Sequence, residues 1–273
     1  MIDSHHHLWR IGHNDCRWPT AELTAIHRDF ELAEFRSVAS PLGVTGSIVV
    51  QSQPSDLDTD YLLDLAEAAP FILGVVGWVD LAGATAVKQI DALAARRKLR
   101  GLRAMLQDLA RNDWITDAAL DPAIDAMVRR GLTLDALVFT RHLDGLNQFV
   151  RRHPDLSVVI DHGAKPPVAA GALEPWRARM SALAELPHLS VKLSGLLTEA
   201  APGQDARAIT PYVDHLIDVF GPERMIWGSD WPVLNLAGDY GGWLSMARGL
   251  TAALGESAQK AIFETNARRI YGL

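Results

Sequence analysis

Cysteine is almost absent from this chain of 273 residues, with Cys16 standing alone. One thiol excludes an intrachain disulfide and fits a reducing cytoplasm, and Cys16 itself reads as an inert buried residue. Long apolar runs are missing as well. The longest, such as FILGVVGWV from 71 to 79, fall well short of the roughly 20 residues of a membrane span. No basic stretch followed by an apolar one opens the chain, so a soluble protein of the cytoplasm is expected. Positive charge is in deficit: 26 Lys and Arg stand against 33 Asp and Glu, a formal net charge of -7. That field opposes approach to nucleic-acid phosphates and anionic membranes, and neither is expected as a partner.

What the chain does have is apolar content, at 48% of residues, enough for one large core. Short β-branched runs alternate with longer stretches of helical periodicity, each closed by Gly, Pro or Asp. Eight such runs are present: MIDSHHH, GSIVVQ ending at Gln51, FILGVVGWVD ending at Asp80, LRGLRAM around Arg103, LTLDALV from Leu132, LSVVIDH ending at His162, LSVKLSG from Leu189 and RMIWGSD ending at Asp230. Between them lie amphipathic stretches such as DTDYLLDLAEAA, HLDGLNQFVRRH and TPYVDHLIDVFG, each with a one-sided apolar stripe suited to covering a sheet. Eight β-then-α units, most of about 25 to 35 residues, predict an α/β fold of the (β/α)8 TIM-barrel type. No Ser- or Pro-rich linker interrupts them, which predicts a single barrel domain over 1–273. The rival, an open doubly wound sheet, lacks its phosphate-binding glycines, since DSHHHLW follows the start of strand one. The segment from Arg10 to Phe30 reads as an irregular insertion over the barrel mouth, and two helical stretches after strand eight close the outer ring.

In such a barrel, chemistry belongs at the carboxyl ends of the strands. Strand side chains alternate, so His5 and His7 point one way and His6 the other. Strand six ends in IDHGAKP, offering His162 and Lys165, and strand eight ends in WGSDWPV, offering Asp230. Taken singly, each has an ordinary structural explanation: a surface histidine, a hydrogen-bonded one, an aspartate starting a turn. Converging from three strands, they suit either a zinc-type N/O site or a metal-free constellation that polarises a carbonyl and activates water. His13, His27, His142, His153, His188 and His215 fit no such pattern and are expected to be solvated or structural.

The H-x-H of IDSHHHLW, together with VVIDHGAKP, VKLSGLLTEA and WGSDWPV in this order, resembles the lactonase branch of the amidohydrolase superfamily. The resemblance is greatest to the L-fuconolactonase-like, amidohydrolase-2 type enzymes, and it runs from Met1 to Leu273. It implies a barrel hydrolase acting on a carboxylic ester bond, with His5, His7 and His162 in the site and Asp230 as general base. Many members of the wider superfamily carry a metal-bridging lysine on strand four and a histidine on strand five. Here strand four presents Arg103, and strand five has no histidine before His142, so a binuclear centre is not expected. One zinc held by His5, His7, Asp230 and His162, or no metal at all, both remain open.

The chemistry expected is proton abstraction from water by Asp230, attack on a lactone carbonyl, and stabilisation of the oxyanion by the histidines or a metal they hold. Recognition is expected from Arg103, Arg141 and Lys165 as cations, from Gln51 as a hydrogen-bonding group, and from Trp9, Trp78 and Trp231 as apolar walls. The substrate expected is a small sugar lactone opened to its aldonic acid. The alternatives are an anionic dicarboxylate lactone of the muconolactone or pyrone type, zinc-dependent decarboxylation or amide hydrolysis on the same barrel, and a barrel that only binds a ligand. The sequence leaves homo-oligomer formation open.

Overall fold

The apolar, β-branched runs form strands and the amphipathic stretches form crossovers, as the computed structural model, which describes residues 1–273, shows in eight parallel strands of sequential order. They are β1 (Ile2–His6), β2 (Gly46–Val50), β3 (Ile72–Gly77), β4 (Leu99–Met105), β5 (Thr133–Leu137), β6 (Val158–Ile160), β7 (Leu189–Leu193) and β8 (Met225–Trp227). The ring closes just past β8, where Asp230 N donates to His5 O at 2.8 Å and His7 N donates to Trp231 O at 2.7 Å. Gly228 permits this approach, because a Cβ there would lie 2.6 Å from His5 Cβ. The architecture is the (β/α)8 barrel that the alternating pattern predicts.

The crossover helices are α1 (Leu32–Ala39), α2 (Asp56–Ala68), α3 (Ala86–Leu93), α4 (Asp121–Arg130), α5 (Leu143–Arg152), α6 (Trp176–Ala184) and α7 (Ala206–Phe220). After β8 come α8 (Tyr240–Leu250), α9 (Gly255–Lys260) and α10 (Asn266–Ile270). Side-chain caps fix several starts: Ser55 accepts from Leu57 N at 3.1 Å, Asp205 from Arg207 N at 2.9 Å and Asp239 from Gly242 N at 2.9 Å. Each such cap stabilises its helix by about 1 kcal/mol. Helix α1 carries no marked stripe in the sequence, and the structure shows why: only Phe35 and Ala39 of its eight residues are buried.

Most core residues lie between strands and helices, and a smaller cluster of Ile2, Ile48, Val50, Val76, Val159 and Ile226 fills the lumen. Ala267 and Tyr271 from the C-terminal segment pack against it as a plug. Each aliphatic side chain so buried contributes roughly 1.5–3 kcal/mol. The β1–β2 register slips between Asp3 and His6: three steps on β1 face two on β2. Strict alternation would put Ile2 and His5 on opposite faces, and this extra residue brings both into the lumen.

The insertion after β1 contains no helix or strand, and a two-bond bridge between Trp9 and Phe30 pins its ends at 3.1 and 3.0 Å. Several strands are shorter than the sequence runs suggest, β6 and β8 most consequentially. Because β6 ends at Ile160 and β8 at Trp227, His162 and Asp230 stand on the loops that follow rather than at the last strand positions.

Candidate active site

One carboxylate oxygen gathers three imidazoles at the carboxyl end of the barrel. Asp230 Oδ1 lies 3.4 Å from His7 Nε2, 3.6 Å from His5 Nε2 and 3.8 Å from His162 Nε2, and the His5 and His7 Nε2 atoms are 3.2 Å apart. All four residues are buried. His6 faces away as alternation requires, stacked on Phe35 at 3.8 Å between centroids and 3.0 Å from Ser47 Oγ. Both His162 (φ 54°) and Asp230 (φ 60°) have left-handed backbones, a conformation that costs a non-glycine residue on the order of 1 kcal/mol and that the surroundings must enforce. Gly195 leaves room for the His162 ring: a Cβ there would lie 2.5 Å from His162 Nδ1.

Neighbours behind the rings orient them. His7 Nδ1 lies 2.8 Å from Val50 O, a pure acceptor, so Nδ1 carries a proton, and in the neutral ring Nε2 is left with its lone pair. His162 Nδ1 lies 2.8 Å from Ser194 Oγ. His5 Nδ1 meets Lys192 Nζ at 3.1 Å and Asp161 Oδ1 at 3.4 Å. Lys192, fully buried on β7, also reaches Asp135 Oδ2 at 2.5 Å and Asp161 Oδ1 at 3.0 Å, and Tyr271 donates to Asp135 at 2.9 Å. Burial, then the Lys192 charge, holds the His5 imidazole well below its usual range. Burial also pushes His162 down to about 4, against the pull of Asp230. For Asp230, burial works to raise the pKa but is outweighed by His162, His7 and His5, which hold the carboxyl well below the usual carboxylate range. At neutral pH the floor is therefore an ionised carboxylate among neutral His5 and His162 rings.

Above this floor opens a cavity of about 370 Å³. His7, His162 and Asp230 line its base, Arg103 and Lys165 its sides, with Trp18, Gln53, Gln107 and Asp108 as further polar or aromatic lining and Met105, Leu137 and Val233 as apolar lining. Arg103 is held at its back: its guanidinium donates to the Gln51 carbonyl and, at 3.3 Å, to Gln51 Oε1, with Asp161 Oδ2 at 3.6 Å. Lys165 Nζ lies 3.8 Å from Glu199 Oε1.

Five residues expected at the substrate lie elsewhere. Trp9 is buried against Trp18 and Phe30, and Trp231 against Phe30 and Phe35, because both pack into the root of the insertion. Gln51 is fully buried behind Arg103 and does not reach the cavity. Arg141 is exposed at the start of α5, bonded to Asn112 Oδ1 and Gln107 O. Trp78 borders a neighbouring apolar pocket. The aromatic ring that faces the cavity is Trp18, placed there by the insertion and tied by Gln53 Nε2 donating to its carbonyl at 2.7 Å.

Sequence patterns also leave Asp135, Asp161, Lys192 and Ser194 unassigned. Their signal is present in retrospect, since an aspartate in TLDAL and a lysine in SVKLS interrupt otherwise apolar strands. A metal could be held by His5, His7 and Asp230, whose ligand atoms stand 3.2–3.6 Å apart. Tetrahedral zinc with bonds of about 2.0–2.1 Å sets neighbouring ligand atoms roughly 3.3 Å apart, so these residues fit zinc in type and spacing.

The whole chain finds relatives. It is 48% identical over 99% of its length to an L-fucono-1,5-lactonase of Burkholderia ambifaria, covering 94% of that protein. To an L-fucono-1,5-lactonase of Burkholderia multivorans it is 35% identical over its full length, covering 96% of that protein. A crystal structure of an amidohydrolase from Burkholderia multivorans with bound zinc superposes with a TM-score of 0.93 at 35% identity, covering 100% of this chain and 99% of that one. The family model described as amidohydrolase matches residues 2–273. With its barrel and full-length match, the chain belongs to the amidohydrolase family.

Proposed function

We propose that this chain hydrolyses a neutral sugar lactone of the L-fucono-1,5-lactone kind to its aldonic acid, acting in the cytoplasm as a single barrel domain over 1–273. The observation that carries this reading is the buried, ionised Asp230 facing three imidazoles at the base of a cavity of about 370 Å³, in a chain 48% identical to a named lactonase.

Asp230 accepts a proton from a water molecule as that water attacks the lactone carbonyl. Ser194 Oγ, 2.8 Å from His162 Nδ1, is assigned as the donor of that contact, which puts the proton of the ring on Nε2, where it meets the developing oxyanion. The ring oxygen leaves with the proton that Asp230 took from the water. An ester needs less activation than an amide, because alkoxide leaves more readily than amine, so a base and good donors suffice. Zinc bound by His5, His7 and Asp230 would supply Lewis-acid polarisation at the same place.

Charge balance favours a neutral substrate over a dicarboxylate lactone. Arg103 is partnered by Asp161 and Lys165 by Glu199, Arg141 lies outside the cavity, and Asp230 and Asp108 add negative charge to its lining. No cluster of free cations is left to clamp two carboxylates. Proton release on addition of neutral five- and six-membered aldonolactones and of muconolactones tests the proposal. Turnover confined to the neutral lactones is expected, and silence across the panel overturns it.

A further inference from the structure

A zinc-ligating histidine normally donates its second ring N–H to a carboxylate, a carbonyl or water, which leaves the other nitrogen free for the metal. His7 has that arrangement, with Val50 O behind it. His5 has the reverse. Behind its Nδ1, at 3.1 Å, stands the Lys192 ammonium, which has three N–H donors and no lone pair. The ammonium is the nearer group, with Asp161 Oδ1 at 3.4 Å, so Nδ1 accepts from Lys192 and the neutral ring carries its proton on Nε2. That proton faces the lone pair of His7 Nε2 at 3.2 Å and occupies the electron pair a metal would need.

Lys192 cannot swing aside at low cost. It is fully buried and anchored by Asp135 Oδ2 at 2.5 Å and Asp161 Oδ1 at 3.0 Å, with Tyr271 in turn bonded to Asp135. We propose that Lys192 is a positioning residue that locks His5 in its Nε2–H tautomer and so makes zinc a weak occupant of ligands otherwise spaced for it. Nearby lies the alternative that Lys192 suppresses. Asp161 Oδ1 is 3.4 Å from His5 Nδ1, and without the ammonium it would accept from an Nδ1–H, completing a carboxylate–histidine pair of the kind that supports zinc. The proposal rests on the lactonase reading for the purpose of the floor, while its physical content concerns a proton position.

Two measurements test it without any substrate. Nitrogen NMR of the histidine rings in the metal-free protein should find His5 protonated at Nε2 and bare at Nδ1. Competition with a chromophoric chelator should show zinc binding about 10- to 100-fold tighter in Lys192→Met/Asp135→Asn, where Asp135→Asn removes the carboxylate that would be stranded. A wild-type His5 protonated at Nδ1, or unchanged zinc affinity in a variant with native-like spectra, overturns the proposal. If the double variant does not fold, the wild-type tautomer alone decides. A lactone panel without turnover would sink the function reading and leave these two results standing.

Discussion

Ser194 Oγ lies 2.8 Å from His162 Nδ1, while the opposite nitrogen of the same ring faces Asp230 Oδ1 at 3.8 Å. With that hydroxyl as donor to Nδ1, the proton of His162 sits on Nε2, toward the cavity. Ser194→Ala should lower kcat on a sugar lactone about tenfold, the worth of one hydrogen bond of about 1.4 kcal/mol, and leave KM within a few-fold. Ser194→Thr, which keeps the hydroxyl, should recover most of the loss, and steady-state kinetics of the two variants checks this.

The pH profile follows from the direction of each shift. His162, pushed down to about 4, is neutral above that value, and Asp230, held well below the usual range, is ionised there too. Both groups are in their working forms from about pH 5 to 8, so neither should limit kcat/KM across that interval. It should fall as the pH drops through about 4 and His162 takes up a proton. A profile with its acid limb near 6.5, the value of an unperturbed imidazole, would show that burial does not depress His162.

The three adjacent histidines should separate by kind of damage. His6 stacks on Phe35 and bonds Ser47 Oγ away from the cavity, so His6→Ala should cost stability, on the order of 2–4 kcal/mol, and leave kcat nearly unchanged in the folded fraction. His7→Ala should instead lower kcat by about 100-fold with a smaller change in denaturation midpoint. Equal kinetic losses at positions 6 and 7 would contradict this assignment of faces.

Gly195, with φ of +61°, combines a left-handed backbone with the close approach of His162. Gly195→Ala adds backbone strain of about 1 kcal/mol and drives a methyl into the imidazole, so it should lower both stability and kcat. Thermal unfolding and turnover measured on the same preparation would show the two losses together.

Much of this was legible because two periodicities are simple. A period of two separates His6 from His5 and His7, and the β-then-α alternation places His162 and Asp230 at the same end of the barrel, after β6 and β8. The aromatic walls were not legible, because whether Trp9, Trp18 or Trp231 faces the cavity depends on how the irregular insertion folds, and no periodicity governs it. Arg141 and Gln51 mislead for a related reason: sequence shows that a polar residue follows a strand but not that its side chain is spent on Asn112 or Arg103. Asp135 and Lys192 stand out as charges within apolar strands. Their meeting across the lumen, with His5 between Lys192 and the cavity, needs the closed barrel.

The central claim is that Asp230 activates water for lactone opening, and turnover of Asp230→Asn on a neutral sugar lactone at pH 7 tests it most directly. The account predicts a fall in kcat of roughly 100-fold or more in a variant that keeps its fold and binds substrate within a few-fold of wild type. Near-normal turnover by the folded variant would contradict it.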